Sequence, residues 1–336
     1  MLDEPILRIE GLSAQFDTPE GAVKAVKDVS LSLRRGATLA LTGESGAGKT
    51  SVGLAMLNLL PYPGRITAGR VYLNETDILT LSPEKVRQLR GRDISMVFQD
   101  PATGLNPVLS VGAQVEEIIT AHLPVSKREA RDRSLEVLAQ MGLANPKEVA
   151  RSYPFQLSGG MAQRVMIAIA TALNPKVLIA DEPTSALDVT VQAAILDDLR
   201  QLQQRFGTSI LLITHDLGVV ARMADEMAVM YAGSVVEFGD TRTVFNRPRH
   251  PYTWALLRSR PRWDQDQIRP LPAIRGAAPN LAELPEECPY LPRCPKATTV
   301  CRTEPAPALA ELEPRHSAAC YNPILHVDGD GDAGFD

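Results

Sequence analysis

Apolar residues in the first part of the chain come in short runs separated by turn residues. Residues 6–9, 12–16 and 29–33 read as strands, with turns marked by Pro19-Glu20-Gly21 and Arg35-Gly36. Residues 38–42 (T-L-A-L-T) form a buried-type strand. The spacing then becomes helical over 50–60, with Val52, Ala55, Met56 and Leu59 on one side. Residues 61–69 read as a break and 70–73 as a strand. Ser82-Pro83-Glu84 opens a helix, with serine as N-cap and proline at the first helical position. Residues 94–98 (I-S-M-V-F) are a buried strand that ends in Gln99-Asp100-Pro101.

From 111 to 143 the pattern is helical. Ser126 and Glu129 form a capping box, and that helix runs to Met141 and stops at Gly142. A second helical stretch covers 161–173. The alternation of strand and helix then resumes: a strand at 177–180, an amphipathic helix at 189–206 closed by Gly207, a strand at 209–214, and a hairpin of 227–232 and 234–238 around Gly233. The pattern predicts an α/β protein with a helical insertion. Beyond about residue 246 proline becomes dense and regular periodicity fades. The segment 326–336 reads as a disordered tail. Asp328, Asp330 and Asp332 have calcium-loop spacing, but Ala333 stands where that loop needs glycine and no glutamate follows.

Composition narrows this further. The chain has 336 residues, enough for about two or three domain-sized units. A net charge of −5 argues against nucleic acid as the main partner. No apolar run reaches the roughly 18 residues of a spanning helix, and the acidic start has no secretory h-region. The expectation is a chain in the cytosol that serves any membrane through partners.

The candidate chemistry begins at Gly43-Glu44-Ser45-Gly46-Ala47-Gly48-Lys49-Thr50, followed by Ser51. The stretch fits the phosphate-loop pattern and lies between a strand and a helix, the context that the motif requires. Glycines let several backbone N–H groups point at one anion. Lys49 supplies a charge for the β- and γ-phosphates, and the Thr50 hydroxyl is placed for Mg²⁺. Asp181 and Glu182, at the end of an apolar strand downstream, suit the other half of a nucleotide hydrolase. Asp181 reaches the Mg²⁺ shell, and Glu182 polarises the attacking water. Gln99, at another strand end, is a candidate for Mg²⁺ ligation and water orientation, and His215 for contact with the γ-phosphate. Strand ends on one edge of a parallel sheet are where such folds bind ligands. Phe16 is open to two readings, an aromatic stacked on adenine or a ring packed on a small sheet.

Leu157-Ser158-Gly159-Gly160-Met161-Ala162-Gln163-Arg164 resembles the signature motif of ATP-binding cassette proteins. With Gln99, Asp181-Glu182, Ser185-Ala186-Leu187-Asp188 and His215 in that order, the resemblance covers about residues 6–240. It implies a β-rich lobe, a RecA-like core and a helical subdomain at about 104–173, within a cassette of residues 1–245. It also implies adenine stacking on Phe16 and a head-to-tail pair of cassettes with ATP between them. Ser158, Gly159 and Gly160 then meet the γ-phosphate held by the partner, and the stretch 185–188 links the two sites. Ser158 as N-cap and two glycines without side chains suit such an approach.

Arg249-His250-Pro251-Tyr252-Thr253, the proline-rich stretch and Cys288-Pro289-Tyr290-Leu291-Pro292-Arg293-Cys294-Pro295 resemble the C-terminal extension of oligopeptide/dipeptide importer ATPases, here residues 246–325. Phe98-Gln99-Asp100-Pro101 with Leu105-Asn106-Pro107 resembles the same group. The resemblance implies a peripheral ATPase on the cytoplasmic face of the inner membrane. Its partners would be a second cassette subunit, by resemblance a paralogue, two transmembrane permease subunits and an extracytoplasmic solute-binding protein. Peptide is the implied cargo, with nickel and oligosaccharide carried by relatives. A soluble non-transport cassette ATPase is the rival reading, but the chain has neither a second cassette nor a long coiled-coil insertion. A cassette that binds ATP without turning it over conflicts with the full set Lys49, Gln99, Glu182 and His215.

Cys288, Cys294, Cys301 and Cys320 are the only cysteines. Disulfides are not expected in a reduced cytosol, and four clustered thiols suit zinc or an iron–sulfur cluster. The spacing matches neither the common zinc-finger nor the ferredoxin pattern. The resemblance to the importer group implies a [4Fe–4S] cluster, with Zn²⁺ or free thiols as alternatives.

Overall fold

The computed structural model describes residues 4–185, 187–259 and 274–325. The tail at 326–336, the aspartates in it and Ala186 of the 185–188 stretch lie outside the described residues. In chain order the strands are β1 (Pro5–Thr18), β2 (Gly21–Arg34), β3 (Thr38–Thr42), β4 (Gly64–Leu73), β5 (Thr76–Asp77), β6 (Ile94–Val97), β7 (Val177–Asp181), β8 (Ser209–Ile213), β9 (Glu226–Tyr231), β10 (Ser234–Asp240), β11 (Ala310–Glu313) and β12 (His316–Ala318). The helices are α1 (Lys49–Met56), α2 (Pro83–Leu89), α3 (Pro101–Gly104), α4 (Val111–His122), α5 (Lys127–Gln140), α6 (Pro146–Arg151), α7 (Gly159–Thr171), α8 (Val189–Phe206), α9 (Leu217–Met223), α10 (Thr241–Asn246), α11 (Pro251–Arg258) and α12 (Val300–Thr303). No described helix is long and apolar enough to cross a membrane.

The chain forms two compact units that interleave in sequence. One holds Met1–Arg8, Ser32–Leu39 and Val71–Thr214. The other holds Ile9–Leu31, Ala40–Arg70 and His215–Asp336.

In the first unit, β6, β7 and β8 are parallel, with Val97 beside Ala180 and Asp181 beside Ile213. All residues of these strands are buried, the composition expected of strands covered on both faces. The helices α4 to α7 pack on one another, and α7 also packs on β6. The Ser126–Glu129 capping box forms as expected, and α5 ends at Gly142 in a left-handed conformation. Helix α8 spans 189–206 and closes on left-handed Gly207.

In the second unit, β9, β10, β12 and β11 run antiparallel in that order. The expected hairpin turns at Ala232 and Gly233, both at positive φ. The last two strands correct the sequence reading, which saw the region after 246 as irregular. They are short, and three of the four residues of β11 are exposed, so they carry almost no alternation.

Three further boundaries differ. Segments 6–9 and 12–16 belong to one strand, β1. Its buried positions change parity, from Leu7 and Ile9 to Leu12 and Ala14, across Gly11 at φ +58°. Asp28, at φ +50°, does the same in β2, and Gly11 and Asp28 each donate a backbone N–H to a serine of the other strand, Ser30 and Ser13. Such bulges break the period of two that the sequence reading relied on. The expected break at 61–69 is strand from Gly64 onward, hidden because its positions are mostly exposed. Helix α1 stops at Met56, four residues early, and Leu59 is exposed instead of packed. Asn58 is left-handed there, and Pro61 follows.

Candidate functional site

The phosphate-loop residues lie in the second unit, between β3 and α1. Two of the glycines are required by both conformation and space. Gly43 has φ +146°, and a Cβ there would sit 2.2 Å from the Met230 carbonyl oxygen. Gly48 has φ +100°, and its Cβ would sit 2.0 Å from the Ala25 carbonyl oxygen. No side chain fits such a gap, and backbone cannot move aside cheaply. Lys49 is buried, and its Nζ donates to the carbonyl oxygens of Gly43 and Glu44, each at 2.9 Å. The ammonium group is therefore held against the loop itself. Thr50 is exposed in the first turn of α1, where the helix dipole favours an anion. Phe16 is half-buried near the end of β1, and a Cβ at Gly64 would lie 2.7 Å from its ring. His215, also in this unit, is exposed in the link before α9.

The first unit carries the other predicted residues. Asp181 ends β7 and is 1% exposed. Glu182 follows at φ +44°, a region that a glutamate rarely adopts, and its N–H donates to the Ile213 carbonyl at 2.8 Å. Unusual backbone of this kind collects at functional sites. The bend brings the Glu182 carboxylate to Gln99, whose Nε2 donates to Oε2 at 2.9 Å. The Ser185 hydroxyl donates to the Gln99 carbonyl at 3.3 Å. Gln99, Glu182 and Ser185 are thus one hydrogen-bonded group at the carboxyl ends of adjacent parallel strands. Ser158 caps α7 and accepts from the Met161 N–H at 3.3 Å. Gly160 makes room for Val191, since a Cβ would come within 2.7 Å of Cγ1.

The four cysteines are brought together in the second unit. Cys288, Cys294, Cys301 and Cys320 all line one cavity, with Tyr290 and Lys296 in its wall. All four are free thiols. Backbone N–H groups of Tyr290 and Leu291 point at Cys288, that of Lys296 at Cys294 and that of Asn322 at Cys320. Burial pushes the Cys288 and Cys294 thiols up and Cys320 up to about 12. Among the described residues, no group of three or more His, Cys, Asp or Glu side chains stands ready to hold a metal ion.

Sequence reasoning assigned no role to several residues that the structure joins. Glu237 is a fully buried carboxylate, with hydrogen bonds from the Arg249 N–H at 2.6 Å and the His250 N–H at 2.8 Å. A charged residue within V-V-E-F was the available signal. Arg293, between two of the cysteines, pairs with Glu44 of the phosphate loop. Only a charge flanked by cysteines hinted at it.

Residues 26–185 match the family model for "ABC transporter", and residues 236–301 that for "Oligopeptide/dipeptide transporter, C-terminal region". The chain is 45% identical over 321 residues to the oligopeptide transport ATP-binding protein OppD of Escherichia coli (strain K12), covering 96% of this chain and 94% of that one. It is 46% identical over 299 residues to the dipeptide transport ATP-binding protein DppD of Bacillus subtilis (strain 168), covering 89% of each. Among solved structures, the ATP-binding cassette MJ0796, a dimer in a post-hydrolysis state bound to ADP and Pi, superposes with a TM-score of 0.64 at 30% identity, over 70% of this chain and 99% of that one. Similarity at this level along nearly the whole length shows that the chain belongs to the ATP-binding proteins of the oligopeptide/dipeptide ABC transporters.

Proposed function

We propose that this protein is the ATP-hydrolysing subunit of a membrane importer of di- and oligopeptides. The observation that carries this reading is the near full-length similarity to proteins named as oligopeptide and dipeptide transport ATP-binding proteins. In this reading residues 1–245 are the cassette, with a helical subdomain at about 104–173, and 246–325 are the extension. Phe16 stacks on adenine, and residues 43–51 bind the phosphates, with Lys49 on the β- and γ-groups. Thr50, Gln99 and Asp181 offer hydroxyl, amide and carboxylate oxygens, the hard donors that Mg²⁺ prefers. Glu182 polarises the attacking water, with Gln99 holding its carboxylate and His215 contacting the γ-phosphate.

Ser158, Gly159 and Gly160 serve the nucleotide of a second cassette, a paralogue. The dimer reported for MJ0796 supports a paired arrangement. The protein is peripheral, on the cytoplasmic face of the membrane, docked on two permease subunits that receive solute from an extracytoplasmic binding protein.

We assign a [4Fe–4S] cluster to Cys288, Cys294, Cys301 and Cys320. Four free thiols around one cavity, three of them with backbone N–H groups aimed at sulfur, are a suitable donor set. A zinc ion on the same four thiols is the alternative. When bound, the cluster supplies cross-linking of a region with little core of its own.

The test is co-purification with the permease subunits, then ATPase assay with the binding protein loaded with peptide, nickel or oligosaccharide. Peptide-loaded protein should stimulate turnover. Stimulation by another solute alone would reassign the cargo, and indifference to every partner would sink the importer reading.

A further inference from the structure

Glu44 is the second residue of the phosphate loop, and the C-terminal extension holds it at two points. Its backbone N–H donates to the Tyr252 hydroxyl at 2.8 Å. Its carboxylate takes two parallel bonds from Arg293, Nη1 to Oε2 at 2.8 Å and Nη2 to Oε1 at 2.9 Å. The Arg293 side chain is only 6% exposed. It is fixed in turn by the Arg275 carbonyl at 2.8 Å and the Tyr231 hydroxyl at 3.2 Å. Behind it Tyr231, Tyr252 and Tyr290 pack ring against ring, with centroids 4.6 to 5.5 Å apart.

A carboxylate is an awkward residue in a loop built to receive a polyanion. Unpaired, it repels phosphate, and partial burial strengthens the repulsion. A bidentate guanidinium cancels that charge and fixes the loop's direction at the same time. Two overlapping turns lead from Cys288 to Arg293: the Leu291 N–H donates to the Cys288 carbonyl and the Arg293 N–H to the Tyr290 carbonyl, each at 2.9 Å, and the next residue is Cys294. A hydrogen-bonded segment of six residues therefore runs from the thiol cavity to the phosphate loop.

We infer that Arg293 is a positioning residue of the nucleotide site, acting through Glu44, and that it couples the phosphate loop to the thiol cavity. This rests on the reading of residues 43–51 as the nucleotide loop. The test uses the full chain and a non-hydrolysable MgATP analogue, with affinity as the readout. Arg293→Gln should weaken binding roughly tenfold, the factor that about 1.4 kcal/mol represents. Glu44→Gln sets the level that the loop reaches without its carboxylate. The double variant Arg293→Gln/Glu44→Gln should recover most of the affinity, because the repelling charge is gone. A merely structural role for Arg293 would leave the double variant as weak as the single one, and that result overturns the inference. So does an Arg293→Gln variant that binds as wild type does. A wild type that fails to bind the analogue removes the nucleotide reading itself, and the inference with it.

Coupling must also run backwards, because linkage between binding sites is reciprocal. The analogue should slow proteolysis within residues 274–325 in the wild type and leave the rate unchanged in Arg293→Gln. Proteolysis that ignores the analogue in the wild type overturns the coupling.

Discussion

Glu237 Oε1 and His316 Nε2 lie 2.8 Å apart, although 79 residues separate them in the chain. Both side chains are essentially inaccessible to solvent. The bond sits where β12 pairs with β10, and the same carboxylate takes the N–H groups of Arg249 and His250. Three segments of the second unit therefore meet on one buried charge. Such a group is costly to bury and costlier to strip of partners. Glu237→Ala should lower the unfolding free energy by about 3 kcal/mol. Urea denaturation checks this, and a change within about 0.5 kcal/mol, the range of an ordinary surface substitution, would contradict it.

The phosphate loop gives a graded test of its glycines. Gly46 has φ +78° with open space around it, so Gly46→Ala adds only conformational strain. Gly48→Ala adds a collision with the Ala25 carbonyl. Strain alone costs about 1 to 2 kcal/mol, whereas the collision requires the loop to move. Nucleotide affinity should fall more than tenfold further in Gly48→Ala than in Gly46→Ala, by titration with a fluorescent ATP analogue. Equal losses would mean that the loop tolerates displacement.

Glu182 should be separable from binding. Glu182→Gln keeps the shape of the side chain, and its amide still pairs with Gln99. A general base contributes about 10² to 10⁴-fold to rate. The variant should bind ATP as the wild type does, lose at least about a hundredfold in turnover, and accumulate as a nucleotide-trapped dimer on gel filtration. Retained turnover would take the role away from Glu182.

Much of this was legible from the sequence, and unevenly so. The strand–loop–helix order around residues 43–50, the capping box at Ser126 and α8 were readable because each depends on local chemistry within a few turns of chain. The Gln99–Glu182 pair was legible only as two strand ends, since it needs β6 beside β7. Leu59 misled because apolar spacing ran on past the point where Asn58 ends the helix. The bulges at Gly11 and Asp28 disguised one strand as two. The joins made by Glu237 and Arg293 were not readable at all. Their partners lie far along the chain, and neither residue belongs to a periodic pattern.

His250 gives the protein an acid-sensitive joint. It is fully buried, and its Nδ1 accepts the Tyr252 N–H at 3.0 Å as the cap of α11. Burial holds its pKa down to about 4, with the Glu237 charge opposing, against 6.5 in an exposed histidine. Between those values the unfolded chain binds the proton and the folded chain does not, so stability falls as pH drops from about 6.5 towards 4. A shift of this size is worth on the order of 3 kcal/mol. His250→Asn keeps a capping oxygen and removes the titration. Denaturation midpoints should therefore fall less steeply with acid in this variant than in the wild type; parallel curves would place the acid sensitivity elsewhere.

The thiol cavity is built of protonated groups. Burial favours the protonated thiols of Cys288, Cys294 and Cys320, yet a metal ligand must be a thiolate. Metal binding must therefore expel protons, and the site should release its metal more readily as pH falls. Around the cavity lie turns, the short helix α12 and the first residue of α11, so bound metal would supply order to the turns. Protein purified without oxygen should carry iron and visible iron–sulfur absorbance, and Cys288→Ser should lose it. The same variant should become more open to protease within residues 274–325, while the cassette stays intact, because the lost cross-link is local. Colourless, iron-free wild-type protein would overturn the cluster, and one equivalent of zinc in its place would give the site to a single ion.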